Sequence, residues 1–191
     1  MMEKAIFIDK DGTLIQDIPY NADPEKIRLE HRAAEALKRW RSHGYLIIVI
    51  SNQSGIAKGK FSTHDLDGAV AKVKSLLALE GASIDDFYYC PHHKKGIIEE
   101  FTADCDCRKP KPGLIVKAAN EWNVDLHSSW MIGDILNDVE AGNQAGCRTI
   151  LIDNGNETEW QLTETRTPLF IVSDLGRAAE KILQVESIPY V

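Results

Sequence analysis

Six short, almost uninterrupted apolar runs, with helix-period segments between them, constrain this chain more than any other feature. The runs are AIFID (5–9), YLIIVIS (45–51), FYYC (87–90), SWMIGD (129–134), CRTILID (147–153) and PLFIV (168–172). A strand with one wet face alternates apolar and polar residues. Runs this continuous instead predict strands mostly buried on both faces, as parallel strands are. Between them Leu66, Ala69, Val70, Val73, Leu76 and Leu77 recur at three- and four-residue steps. Ile115, Ala118, Ala119 and Trp122 form a second such stripe, and Leu175, Ala178, Ala179, Ile182 and Leu183 a third. Each stripe fits the core-facing side of a helix. The alternation implies an α/β fold, a Rossmann-like parallel sheet with helices on both faces. Residues 1–191 are expected to form one domain with a substantial core.

In such sheets ligands gather at the carboxyl ends of the strands. Asp9, Ser51, Cys90 and Asp134 all fall at or just past predicted strand ends, so polar groups from distant parts of the chain are expected to converge there. Two connections are too long for plain alternation. Residues 14–30 are punctuated by Pro19, Tyr20, Asn21 and Pro24, and residues 91–112 are rich in Cys, His, Lys and Pro. Loops this long are usually functional or braced. The polar stretch 154–167 is expected to be a surface loop.

The first strand ends in Asp9-Lys10-Asp11-Gly12. Two carboxylates this close repel, so a positive partner is expected with them. A calcium-binding EF-hand would need a ligand at Thr13, glycine at Leu14 and glutamate at Tyr20. The sequence meets none of these. A pair of turn aspartates remains the structural alternative on these residues alone.

Three further segments change the weighing. SNQSGIA (51–57) follows the second strand, CRKPKPG (107–113) precedes a helix, and GDILND (133–138) follows the fourth strand. With DKDGTL (9–14) they resemble, in order, the four motifs of the haloacid dehalogenase phosphatase superfamily, over residues 5 to 150. The resemblance implies Asp9 as nucleophile and Asp11 as general acid, then base. It implies Ser51 and Lys109 as partners of the phosphoryl group, and Asp9, the Asp11 carbonyl and Asp134 as ligands of Mg2+. The chemistry is coherent. A carboxylate that attacks phosphorus splits one hard hydrolysis into two easier steps, and a hard cation screens anion from anion. Lys111 rivals Lys109; both precede proline, which biases the backbone toward extended forms. Asp138, one helical turn past Asp134, faces the same region and is expected to orient the ion's water shell.

The third-strand loop is bracketed by CPHH (90–93) and CDC (105–107). Cys90, His92, Cys105 and Cys107 offer three thiolates and an imidazole, a set suited to a closed, structural Zn2+ site. His92 is preferred to His93 on spacing, with His93 as an outer contact. The loop narrows the resemblance to the compact, zinc-containing branch without a large cap domain. Its heptose-bisphosphate phosphatases are the most similar, its histidinol-phosphate phosphatases a close second. That resemblance implies substrate contacts from Asp17 to Tyr20, from Asn52, Gln53 and Ser54, and from Arg108, whose guanidinium suits a second phosphate. Two positions depart from the heptose pattern: Ile135 stands where lysine is usual, and Lys10 where arginine is usual.

The substrate expected is thus a small phosphorylated metabolite, a sugar bisphosphate above all, and the enzyme a monomer. Acidic residues outnumber basic ones, 29 to 22, for a net charge of −7. That balance argues against nucleic acid or an anionic membrane as partner. The N-terminus does not resemble a signal peptide and no run is long enough to span a membrane, so a cytoplasmic protein is expected. Cys147, apart from the other cysteines in an apolar run, is expected to pack as a small hydrophobe. Two other classes were weighed: a phosphate-binding scaffold without activity, and phosphoryl transfer to another acceptor. Nothing in the chain favours the first, and the second generally uses a cap domain for which the 14–30 and 91–112 segments leave no room.

Overall fold

The computed structural model describes residues 2–187; residue 1 and residues 188–191 of the expected domain lie outside the described residues. Six strands form one parallel sheet: β1 (Lys4–Ile8), β2 (Tyr45–Asn52), β3 (Asp86–Cys90), β4 (Trp130–Gly133), β5 (Arg148–Ile152) and β6 (Phe170–Val172). Their order is β3-β2-β1-β4-β5-β6. The chain winds outward from β1 to β3, then returns to β4 beside β1 and winds the other way. The reversal sits between β1 and β4, the place where such sheets open a crevice for ligands.

Side chains alternate across the sheet. Ile6, Ile8, Ile47 and Val49 face one core layer, which they share with α1 (Ala33–Ser42), α2 (Thr63–Leu79) and α5 (Leu175–Glu186). Ala5, Phe7, Ile48 and Ile50 face the other, shared with α3 (Gly113–Trp122) and α4 (Leu136–Ala145). Cys147 lies in this second layer, 7% exposed, and burial pushes its thiol up to about 12. β3 and β6 are only partly buried, unlike the central strands, because they form the sheet's two edges. The last strand begins at Phe170, with Pro168 and Leu169 outside it.

The three stripes correspond to α2, α3 and α5. Ser62 and Asp65 cap α2 reciprocally, and Asp174 caps α5. Two helices had no such stripe assigned. In α1 the buried set Ala33, Ala34, Ala36, Leu37 and Trp40 is largely alanine. In α4 the buried face includes Asp138 and Gly142. A Cβ on Gly142 would lie 2.5 Å from Met131 Cβ, so the close approach of helix to sheet leaves no room for a larger apolar marker. Among the described residues no helix is long and apolar enough to cross a membrane.

Candidate active site

The turn after β1 is built by backbone bonds: Leu14 and Ile15 N–H both donate to the Lys10 carbonyl, and Gly12 N–H to that of Ile15. Gly12 takes φ +78°, and a Cβ there would stand 2.1 Å from Asp134 Oδ2. Glycine is required on both counts. The tight turn brings Asp9 beside Asp134, just past β4, and Asp138, in the first turn of α4. One carboxylate oxygen from each of the three lies within 4.8 Å of the others, and all three residues are buried.

Lys109 enters this cluster from the loop before α3. Its Nζ donates to Asp9 Oδ1 at 2.5 Å and to the Ile50 carbonyl at 2.8 Å, and forms an ion pair with Asp138 Oδ1 at 2.7 Å. Burial works against its charge, yet Asp138 and Asp9 outweigh burial and hold the ammonium above its usual range. Lys111, the rival, pairs instead with Asp104 and Asp106 at 3.0 and 3.4 Å, outside the cluster.

Asn52 fixes the lysine's backbone. Its Nδ2 donates to the Lys109 carbonyl at 3.1 Å while its Oδ1 accepts from the Lys109 N–H at 3.0 Å. Expected as a substrate contact, Asn52 lines the cavity but commits both ends of its amide to Lys109. Gln53 is likewise committed, donating to Asp11 Oδ2 at 3.0 Å and to Ser51 Oγ at 2.7 Å. The other oxygen of Asp11 accepts from Lys10 Nζ at 2.5 Å. Lys10 is 1% exposed, an unusual place for lysine unless its charge is matched.

Three largely buried carboxylates face one ammonium, an excess of negative charge at the floor of a cavity. Burial, followed by repulsion from Asp138, pushes Asp134 up to about 7. Burial raises Asp9 well above the usual carboxylate range, against the pull of Lys109. A divalent cation bound by oxygen fits this charge and this donor set. Thr13 and Asn156 complete the surroundings of Asp134; Asn156 Nδ2 donates to Asp134 Oδ2 at 2.7 Å.

The cluster floors a cavity of about 280 Å³ bounded also by Asp11, Asp17, Asn52, Ile135 and Asn156. A second cavity of about 280 Å³, lined by Ile18, Tyr20, Gln53 and Ser54 among others, shares Asp11, Asp17 and Asn52 with the first. Tyr20 adopts φ 55°, and its hydroxyl accepts from Lys58 Nζ at 2.6 Å. Burial, then repulsion from Asp11, raises the Asp17 carboxyl. Arg108 lines neither cavity; its Nη1 donates to the His92 carbonyl at 3.4 Å.

Beyond β3 the four expected zinc ligands form a second cluster. The sulfurs of Cys90, Cys105 and Cys107 stand 3.0–3.4 Å apart, and His92 Nδ1 lies 3.3 Å from Cys107 Sγ. His93 is not part of it, and its Nδ1 accepts from Lys95 N–H at 3.0 Å. Soft thiolates with one imidazole, all within 4.8 Å, fit a zinc ion.

Sequence reasoning missed Asn154, Asn156 and Glu157, which the structure brings to the first cluster from the stretch expected to be a surface loop. Polar residues in a polar loop give no periodic signal. Only their position just past the end of β5 pointed to the catalytic edge.

The HAD-hydrolase-like family model matches residues 106–178. The D-glycero-beta-D-manno-heptose-1,7-bisphosphate 7-phosphatase of Pasteurella multocida is 41% identical over 155 residues, which cover 81% of this chain and 84% of that protein. The protein of the same name from Salmonella typhi is 36% identical, covering 93% of this chain and 95% of its own. Among solved structures, the D,D-heptose 1,7-bisphosphate phosphatase of B. bronchiseptica, complexed with magnesium and phosphate, superposes with a TM-score of 0.83 at 32% identity, covering 95% and 99% of the two chains. Fold, motif order and these relatives agree that the chain is a phosphoric monoester hydrolase of the haloacid dehalogenase-like superfamily, and that it belongs to the family of the heptose-1,7-bisphosphate 7-phosphatases.

Proposed function

We propose that the chain is a Mg2+-dependent phosphomonoesterase that removes the 7-phosphate of D-glycero-D-manno-heptose 1,7-bisphosphate through an aspartyl-phosphate on Asp9. The observation that carries the reading is the buried Asp9–Asp134–Asp138 cluster with Lys109 inserted into it. Mg2+, bound by Asp9, Asp134 and the Asp11 carbonyl, would supply charge that lets one anion approach another. An Asp9 carboxylate oxygen forms a bond to phosphorus as the bond from phosphorus to the sugar oxygen breaks. Asp11, held by Lys10 and Gln53 on its two oxygens, gives its proton to the departing alkoxide. It then takes a proton from water, whose oxygen attacks phosphorus while the bond to Asp9 breaks. Ser51 and Lys109 neutralise the phosphoryl oxygens, and Asp138 keeps Lys109 charged and aimed. Cys90, His92, Cys105 and Cys107 would hold a structural zinc ion.

Lys109→Ala is expected to lose roughly 2.7–4 kcal/mol of transition-state stabilisation, a fall of about 10²–10³ in kcat, as loss of one preorganised donor does. Lys111→Ala is expected to be near wild type. Steady-state kinetics at saturating Mg2+ compare the two, and the reverse pattern would transfer the role to Lys111.

The sugar and its second phosphate are placed in the adjoining cavity, with Tyr20, Ser54 and Lys58 at its rim. Asp17 favours a second substrate, histidinol phosphate, because a carboxylate in the cavity wall suits an amine better than a phosphate. Ile135 in place of a lysine works in the same direction. Phosphate release from heptose bisphosphate, histidinol phosphate and simple sugar phosphates discriminates them. The expected result is the highest kcat/KM for heptose bisphosphate; a higher value for histidinol phosphate would assign the chain to that reaction with the same chemistry.

A further inference from the structure

The connection from β5 to β6 makes three contacts to the catalytic edge that the proposed mechanism does not use. Asn154 Nδ2 donates to the Gly12 carbonyl at 2.7 Å, Asn156 Nδ2 to Asp134 Oδ2 at 2.7 Å, and Glu157 Oε2 accepts from the Leu136 N–H at 2.6 Å. Four consecutive residues, 154–157, therefore tie together the turn after β1, the carboxylate after β4 and the start of α4. The tie is internally braced: Asn156 N–H donates to Asn154 Oδ1 at 3.1 Å, and Glu159 N–H to Glu157 Oε1 at 2.8 Å.

We propose that Asn156 is a positioning residue for the divalent-cation site, holding the Asp134 carboxylate in its binding orientation through the Nδ2–Oδ2 hydrogen bond. The inference rests on the assignment of Asp134 as a metal ligand made above. Asp134 sits beside Asp9 and Asp138 in a buried cluster, where neighbouring carboxylates repel one another. An amide donor counters that repulsion without adding charge. A lysine or arginine in its place would compete with the cation for the carboxylate, and an aspartate would add to the repulsion. The turn after β1 is shaped around this bond. A Cβ on Gly12 would lie 2.1 Å from Asp134 Oδ2 and 2.6 Å from Asn156 Nδ2, so any other residue would occupy the space in which the two meet. Asn156 also lines the catalytic cavity, whereas Asn154 and Glu157 act on backbone groups around it.

The test is direct Mn2+ binding, by electron paramagnetic resonance of the free ion, to zinc-replete wild type, Asn156→Ala, Asn156→Leu and Asp134→Asn. Both Asn156 variants are expected to bind Mn2+ about 10–100-fold more weakly, the usual cost of removing a hydrogen bond that orients a metal ligand. Melting temperatures of the zinc-replete proteins without added Mg2+ or Mn2+ should match wild type, and kcat should recover at saturating Mg2+. Wild-type Mn2+ affinity in both variants would overturn the proposal, as would a loss that tracks a fall in that melting temperature. Unchanged affinity in Asp134→Asn would instead remove the metal assignment on which the proposal stands.

Discussion

Asp9→Asn is expected to abolish phosphate release while leaving the fold intact. The amide preserves the size of the side chain but lacks the anionic oxygen that forms the bond to phosphorus. Removal of a covalent nucleophile in subtilisin costs on the order of 10⁶ in kcat, and a loss of that order is expected here. The fold should tolerate the change, because Asp9 is not a source of stability. Burial raises its carboxyl well above the usual range, against the pull of Lys109, so charging it costs more in the folded protein than in the unfolded chain. Lys109 would not be stranded, since Asp138 stays at 2.7 Å and the Ile50 carbonyl at 2.8 Å. Two buried carboxylates would then face one ammonium instead of three. A metal-free melting temperature within a few degrees of wild type, together with no acid-stable label on the protein from ³²P substrate, is the expected pair of results. A variant retaining more than about one hundredth of wild-type kcat, beyond what deamidation of the asparagine back to aspartate explains, would remove Asp9 from the nucleophile's role.

The parts of this protein that were legible in its sequence are those whose signal is local. Continuous apolar runs marked every strand of the sheet, most plainly the central ones, where coverage on both faces leaves no polar positions to interrupt the pattern. Three of the four motifs were legible because each follows a strand end, and the remaining one because its lysine stands just ahead of a helix. Asp9, Lys109, Asp134 and Asp138 do meet within one cluster. What the sequence hid is the set of residues that act on other side chains. Asn52 and Gln53 stand inside a recognised motif, yet their amides hold Lys109 and Asp11, a fact that depends on β2 lying beside β1 and the loop before α3 folding over it. Asn156 reaches Asp134 across 22 residues of sequence. Helix α4 was hidden for a related reason. Its inner face is chosen for the active site and for close packing, through Asp138 and Gly142, and so carries a weak apolar stripe.

Arg108 and Lys109 are neighbours with separate contacts: Arg108 reaches the His92 carbonyl in the cysteine loop and Lys109 the buried carboxylates. Cys107 lies two residues before Lys109, and the Gly113 N–H that opens α3 donates to the Asp106 carbonyl. The lysine is thus suspended between the proposed zinc site on one side and α3 on the other. Few apolar side chains hold this segment: Ile97 is 77% exposed and Ile98 40%. With so little buried area from these residues, an ion at the proposed zinc site would brace the loop.

Cys105→Ser should therefore be felt both in stability and in catalysis. A serine hydroxyl does not replace a thiolate toward zinc, so the metal content of purified protein is expected to fall from about one zinc per chain toward none. Structural zinc supplies about 10–16 kcal/mol of binding free energy in small peptides. If a quarter of that stabilises this loop, the melting temperature drops by roughly 5–15 °C, at 2–4 °C per kcal/mol for a chain of this size. Core strands β1, β2 and β4 lie outside the loop, so the circular dichroism of the sheet and helices should persist below the new transition. Catalysis should fall nonetheless, because the Lys109 backbone loses its anchor on the cysteine side and is left to α3 and the Asn52 clamp. The expected signature is a lower kcat that excess Mg2+ does not restore, which separates the loss from a defect at Asp134. Cys147→Ser is the matched control: that thiol is buried in the second core layer, away from the cluster, and its loss should leave the zinc content unchanged. Full zinc content in Cys105→Ser, or a zinc-free protein with wild-type melting temperature and kcat, would show that the three sulfurs do not brace the loop that carries the catalytic lysine.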